Sequence, residues 1–165
     1  MQAPPSQRHI FLGITLFCCL LMTTGIVYFE RTLGLEPCPL CMTQRVFIVL
    51  AGLIALIGFV HNAKGLASKS YAGATALSAL VGAAFSGRHL YLQQLPPDLA
   101  PACGPSLAYM LDTLPLTRTL SVMLSGDGNC AEVAWRFLGL SIPAYTLLAF
   151  AIITAAAIYL LLRRP

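Results

Sequence analysis

The chain has 165 residues, of which 58% are apolar and 10% charged, with a formal net charge of +4. A soluble domain carries roughly 25% charged residues, so a water-soluble globule is excluded and a single integral membrane domain over residues 1–165 is expected. The ten cations are scattered along the chain, without the basic run or face that nucleic acid requires, so that class of partner is excluded as well.

The first predicted element is an uncharged apolar stretch over residues 10–29. It is longer than the apolar core of a signal peptide and runs into Phe29-Glu30-Arg31 without a small-x-small cleavage site, so a retained helix is expected. Cys18 and Cys19 lie midway along it, pointing to different faces, and read as small apolar residues in lipid or at a helix contact. A polar connection over residues 30–41 follows and ends in Cys38-Pro39-Leu40-Cys41.

The second stretch, residues 42–60, is interrupted only by Gln44 and Arg45 near its start. If the helix begins at Pro39, where proline is tolerated, Cys38 becomes its cap and Cys41 lies in its first turn. Backbone N–H groups and the positive helix end favour a thiolate there. Residues 38, 41 and 45 follow an i, i+3, i+7 pattern, which puts both thiols and Arg45 on one stripe. The guanidinium cannot lose its proton, so it is available to stabilise a Cys41 thiolate or to hydrogen-bond a carbonyl oxygen of an acceptor. A Cys-x-x-Cys pair is usually a redox dithiol or half of a metal site.

The third stretch, residues 71–91, is rich in Ala, Gly and Ser, which suits close helix contact in lipid. A long connection over residues 92–141 carries most of the prolines and acids and reads as partly ordered. Within it, Leu116, Leu120, Met123 and Leu124 share one face, with Pro115 before and Gly126 after. These features predict a short amphipathic helix on the bilayer surface. Cys103 and Cys130 flank it among glycines and prolines, as a disulfide open to attack requires. The fourth stretch, residues 142–162, is again uncharged. About 20 apolar residues cross a bilayer, so the expected fold is an all-α bundle of four transmembrane helices with two outer loops.

Four spans place both termini and residues 61–70 on one side, with Arg8, Lys64, Lys69, Arg163 and Arg164. The other side has Arg31, Arg45, Arg88, Arg118 and Arg136. The first set is the more densely packed beside the helix ends and holds both lysines, so the termini are expected to be cytoplasmic. Cys38, Cys41, Cys103 and Cys130 then face an oxidising compartment, where disulfides persist.

The segment Cys38-Pro39-Leu40-Cys41-Met42-Thr43-Gln44-Arg45 resembles the first-loop motif of the DsbB family, bacterial quinone-dependent disulfide oxidases of the inner membrane. Gly128-Asn129-Cys130-Ala131-Glu132-Val133-Ala134-Trp135-Arg136-Phe137-Leu138-Gly139-Leu140 is similar to that family's second-loop signature, and His89-Leu90-Tyr91-Leu92-Gln93 to the close of its third helix. The resemblance covers nearly the whole chain. It implies that a periplasmic DsbA-type dithiol protein attacks a Cys103–Cys130 disulfide at Cys103. Cys130 then passes the reducing equivalents to Cys38, and Cys41 faces a diffusible ubiquinone or menaquinone. Arg45 would anchor or polarise a quinone carbonyl, with His89 near the same ring, and no resident metal is implied. Gln44 is given no task, and Trp135 and Tyr145 read as interface anchors.

Three other readings use the same cysteines. One is a quinone oxidoreductase like vitamin K epoxide reductase, in which the dithiol is expected nearer the end of the helical array. Another is a non-enzymatic protein holding zinc through Cys38, Cys41, Cys103 and Cys130, although Cys103 and Cys130 are too widely spaced for the usual close pair. The last is a transporter or assembly factor with structural disulfides.

Overall fold

The computed structural model describes residues 6–105, 107–113 and 115–163. Arg164, counted above among the cations beside the termini, lies outside the described residues. Helix α1 (Gln7–Thr23) continues without a break into a π-helical stretch, Thr24–Thr32. Helix α2 (Pro39–Val60) and helix α3 (Gly65–Gln94) are joined by a tight turn, and α6 (Ile142–Leu162) closes the bundle. Two short helices, α4 (Leu107–Thr113) and α5 (Leu116–Ser125), and a two-stranded hairpin lie between α3 and α6. In the hairpin, β1 (Arg136–Phe137) runs antiparallel to β2 (Leu140–Ser141), with Arg136 opposite Ser141.

Among the described residues, three helical segments are long and apolar enough to cross a membrane: Gln7–Thr32, Pro39–Val60 and Ile142–Leu162. The expected third span corresponds to α3. Its 30 residues would reach about 45 Å at 1.5 Å per residue, but its small and hydroxyl-bearing side chains make it less apolar than the other three.

Those small residues decide the packing. Ala72, Ala76, Ala79 and Gly82 form a buried stripe on α3, and α3 packs against both α2 and α6. At Gly82 the Phe150 ring sits so close that an added Cβ would lie 2.2 Å from its Cζ. Lipid tails are as apolar as the helix surfaces, so close fit supplies the attraction here. Cys18 fills a similar notch at Gly52, while Cys19 is exposed. The two adjacent thiols therefore point apart, as expected of a helix.

Contacts at the two ends of the bundle fix which segments share a side. Arg8 lies over the Phe59 ring, 4.7 Å from its centroid, and Gly73 meets Leu161. The start of α1, the α2–α3 turn and the end of α6 are therefore gathered at one end. Cys38, His89 and Ser141 mark the other.

At that second end, α5 forms over nearly the span its periodicity predicts, with Pro115 as its cap and Gly126 (φ +80°) as its stop. Leu116, Leu120 and Leu124 remain exposed, as a face turned to lipid requires. The buried residue is Thr119, whose hydroxyl donates to the Met110 carbonyl at 3.2 Å. The connection also carries α4 and the β1–β2 hairpin. Both are too short to leave a periodic signal.

Candidate functional site

Helix α2 begins as its sequence predicts. Cys38 is the N-cap, Pro39 occupies the first turn, and the Cys38 sulfur accepts the Cys41 backbone N–H at 3.4 Å. This brings the Cys38 and Cys41 sulfurs to 3.1 Å. Both are free thiols in this structure, as is every other cysteine.

Helix α3 supplies the next group. His89 is 2% exposed, and its Nε2 lies 3.7 Å from the Cys38 sulfur and its Nδ1 4.0 Å from that of Cys41. The ring is held by Gln44, itself 3% exposed, whose amide nitrogen donates to Nδ1 at 3.1 Å. A buried imidazole without a partner costs about 1–3 kcal/mol, so Gln44 has a clear structural purpose. Sequence alone assigns Gln44 no role. Its signal was available nonetheless, as a polar residue one turn after Cys41 in an otherwise apolar helix.

Cys130 arrives from the second loop. Arg88 donates to the Ser125 carbonyl at 2.7 Å and Thr43 to that of Met123 at 2.7 Å, which ties the end of α5 to α3 and α2. Gly126 then turns the chain against Leu40 and Leu92. Cys130 is left fully buried over the start of α2. A hydrogen bond from the Cys38 thiol holds the Cys130 thiol down at about 7, against the opposing effect of burial, and the N–H groups of Asp127 and Leu40 assist. The same contact, with that of Cys41 and with burial, pushes the Cys38 thiol up. Cys130 is thus the more readily ionised member of the pair, and Cys38 the sulfur it faces.

Cys103 is exposed and lies outside the Cys38–Cys41–His89 group. Its loop is nevertheless tied to Cys130's turn. Gly128 donates to the Ala102 carbonyl at 3.1 Å, and Asn129 to that of Gly104 at 3.0 Å. Asp127 occupies the space beneath, its Oδ1 3.7 Å from the Cys130 sulfur. A zinc site made of all four loop cysteines is therefore not what this geometry presents, because Cys103 stands outside the group.

Arg45 lies on the stripe its spacing predicts, but its main partner is Glu30. It pairs with that carboxylate and reaches toward the Gly25 carbonyl at 3.5 Å. The π-helical stretch supplies both. Beside Cys38, the side chain that reaches the Cys41 sulfur is His89, at 4.0 Å.

Cys38, Cys41, Gln44, Arg45 and His89 all open onto one cavity of about 440 Å³. Its walls are mainly apolar, contributed by α1, the start of α6 and the hairpin. Trp135 and Tyr145 line it as well, with Trp135 stacked on Phe137 and edge-on to Phe29. Tyr145 donates to the Phe137 carbonyl at 2.9 Å. These two aromatics are built into the cavity wall, beyond the interfacial role their positions suggest. Cavities of about 300–1,000 Å³ with apolar walls and a few convergent polar groups suit a mostly apolar small molecule.

Comparison with known proteins agrees with this construction. The family model described as "Disulfide bond formation protein DsbB" matches residues 7–160. Disulfide bond formation protein B of Saccharophagus degradans is 48% identical over 160 residues, covering 97% of this chain and 96% of that protein. The protein of the same description from Marinobacter nauticus is 44% identical over 159 residues, covering 96% and 94%. That from Hahella chejuensis is 48% identical over 153 residues, covering 90% and 93%.

Proposed function

Because the chain belongs to the DsbB family of disulfide bond formation proteins, we propose that it is an inner-membrane thiol oxidase that re-oxidises a periplasmic DsbA-type dithiol protein and passes the electrons to membrane quinone. The observation that carries this reading is the burial of Cys130 with Leu40 and Leu92 in a cluster against which Cys38 packs, at the mouth of the cavity that Cys41 lines. It joins an outer-loop thiol to a buried apolar site through one shared sulfur.

In the proposed cycle the partner's thiolate attacks Cys103 of a Cys103–Cys130 disulfide, and Cys130 leaves as thiolate. Cys130 then attacks Cys38 of a Cys38–Cys41 disulfide. One S–S bond forms as the other breaks, and Cys41 departs as the thiolate facing the cavity. The lowered pKa of Cys130 supports its part as the attacking sulfur near neutral pH. The partner's second thiol displaces Cys103 and the partner leaves oxidised; Cys103 attacks Cys130 of the Cys38–Cys130 disulfide, which restores the Cys103–Cys130 bond and frees Cys38. Quinone, as the second substrate, takes two electrons and two protons from the Cys38–Cys41 dithiol and leaves as quinol, restoring that disulfide. Arg45 and His89, which line that cavity, would donate to a quinone carbonyl oxygen, and Gln44 orients His89.

The proposal includes four spans, with α3 as the third, and termini on the cytoplasmic side. That orientation puts both cysteine loops in the periplasm and α5 on the outer leaflet. The deciding experiment supplies reduced DsbA-type protein and a ubiquinone or menaquinone analogue to the purified protein and follows quinol. Turnover that depends on Cys41 and Cys103 is expected. Quinol formation undiminished in Cys41→Ser would overturn the scheme.

A further inference from the structure

The dithiol form carries a second capacity that electron transfer does not use. Cys38, Cys41 and His89 each offer one ligand atom, and the three atoms lie within 4.8 Å of one another. The sulfurs are 3.1 Å apart and His89 Nε2 is 3.7 Å from that of Cys38. A tetrahedral zinc ion, with bonds of about 2.3 Å to sulfur and about 2.0 Å to nitrogen, needs its ligand atoms roughly 3.5–3.8 Å apart. The thiols must therefore open by a few tenths of an ångström, which rotation of an N-cap side chain provides. The imidazole is already in place.

The surroundings also fit a metal ligand. A ligating histidine usually has its other ring nitrogen fixed by a neighbour, which sets the tautomer. Gln44 sits at Nδ1. An amide serves either proton arrangement: its nitrogen donates to a bare Nδ1 and, turned over, its oxygen accepts from Nδ1–H. The second arrangement leaves the Nε2 lone pair facing the thiols.

We propose that the reduced protein binds a thiophilic divalent cation of the zinc class through Cys38, Cys41 and His89. Two thiols and one neutral imidazole take up the cation and release two protons, with no change of oxidation state. All three residues open onto the cavity, so the fourth coordination position faces it and the ion occupies the place where an electron acceptor would meet Cys41. Once the two sulfurs are joined as a disulfide, only His89 remains, and the site is lost. Cation binding is thereby restricted to the reduced state, and Cys103, outside the cluster, takes no part.

The test uses Co²⁺ alone as the probe, titrated anaerobically into the full-length reduced protein in detergent. The expected result is one equivalent bound with the thiolate-to-cobalt absorption of a tetrahedral site. Zn²⁺ should displace it, and pre-oxidised protein should show no such absorption. Cys41→Ser should abolish the signal, His89→Ala should weaken binding at least tenfold, and Cys103→Ala should leave it unchanged. Since replacing buried His89 could disturb folding, X-ray absorption of wild-type protein loaded with Zn²⁺ supplies an independent arm, expected to show sulfur ligands together with one imidazole. A shell without imidazole, equal affinity in His89→Ala, or the same spectrum in oxidised protein would each refute the site. No arm requires the partner protein or quinone, so the inference stands or falls apart from the proposed oxidase activity.

Discussion

Replacing Gly82 by alanine probes the contact that sets the distance between α3 and α6, and hence the position of His89. The new Cβ would lie 2.2 Å from Phe150 Cζ and 2.4 Å from Cε1. Carbon atoms rest at about 3.5–4.0 Å, so ring and helix must separate by roughly 1.3 Å or more. Phe150 is fully buried, which leaves its ring little room to swing aside. Overpacking of this kind costs about 1–3 kcal/mol, while the gain from Gly to Ala within a helix is at most about 1 kcal/mol. A net loss of roughly 1–2 kcal/mol is therefore expected from these two opposing effects. The consequence extends to function because His89 lies seven residues, or two turns, from Gly82 on the same face of α3. The measurement is the unfolding midpoint in detergent for wild type, Gly82→Ala, Phe150→Leu and the double variant, together with quinol formation for each. The pair should show a coupling energy of about 1 kcal/mol or more, and the double variant should recover activity lost in Gly82→Ala. A Gly82→Ala protein as stable and as active as wild type would show that this contact does not space the helices.

Cys130 should titrate near pH 7, with thiolate present above that value and lost as pH falls through it. Thiolate absorbance in reduced protein retaining only Cys38 and Cys130 reads this directly. Adding Cys38→Ala should move the midpoint upward, because the largest cause of the depression is gone. Gln44→Leu strands Nδ1 of His89 in a dry site, at a cost of about 1–3 kcal/mol; thermal unfolding should register that loss, and quinol formation should fall with it. Glu30→Gln removes the carboxylate that pairs with Arg45 and is expected to change KM for the quinone analogue while leaving KM for the partner protein unaltered. Gly104→Ala would put a Cβ 2.6 Å from Asp127 Oδ2 and push the Cys103 loop away from Cys130. Stopped-flow kinetics should then show a slower partner step, with oxidation of a prereduced Cys38–Cys41 pair by quinone unchanged.

Much of this protein was determined by the order of its residues alone. Long uncharged runs select helices across lipid, because each backbone N–H and C=O must find its partner inside the segment. A cysteine before Pro39 and another three residues later select an N-cap and a first turn, so local rules sufficed to place both thiols and Arg45 on one stripe. The amphipathic α5 was legible for the same reason, since its period of 3.6 and its flanking Pro115 and Gly126 lie within a dozen residues. What the tertiary structure decided are the pairings between segments distant in sequence. His89 is more than forty residues from Gln44, and Cys130 about ninety from Cys38, and neither spacing carries a signal in one chain. The partnership of Arg45 with Glu30 depends on how the π-helical end of the first helix meets α2. Whether Trp135 anchors at an interface or walls a cavity depends on a hairpin of four paired residues. Side-chain contacts of this kind are selected by shape and by the satisfaction of buried polar groups, which act only once the helices have packed.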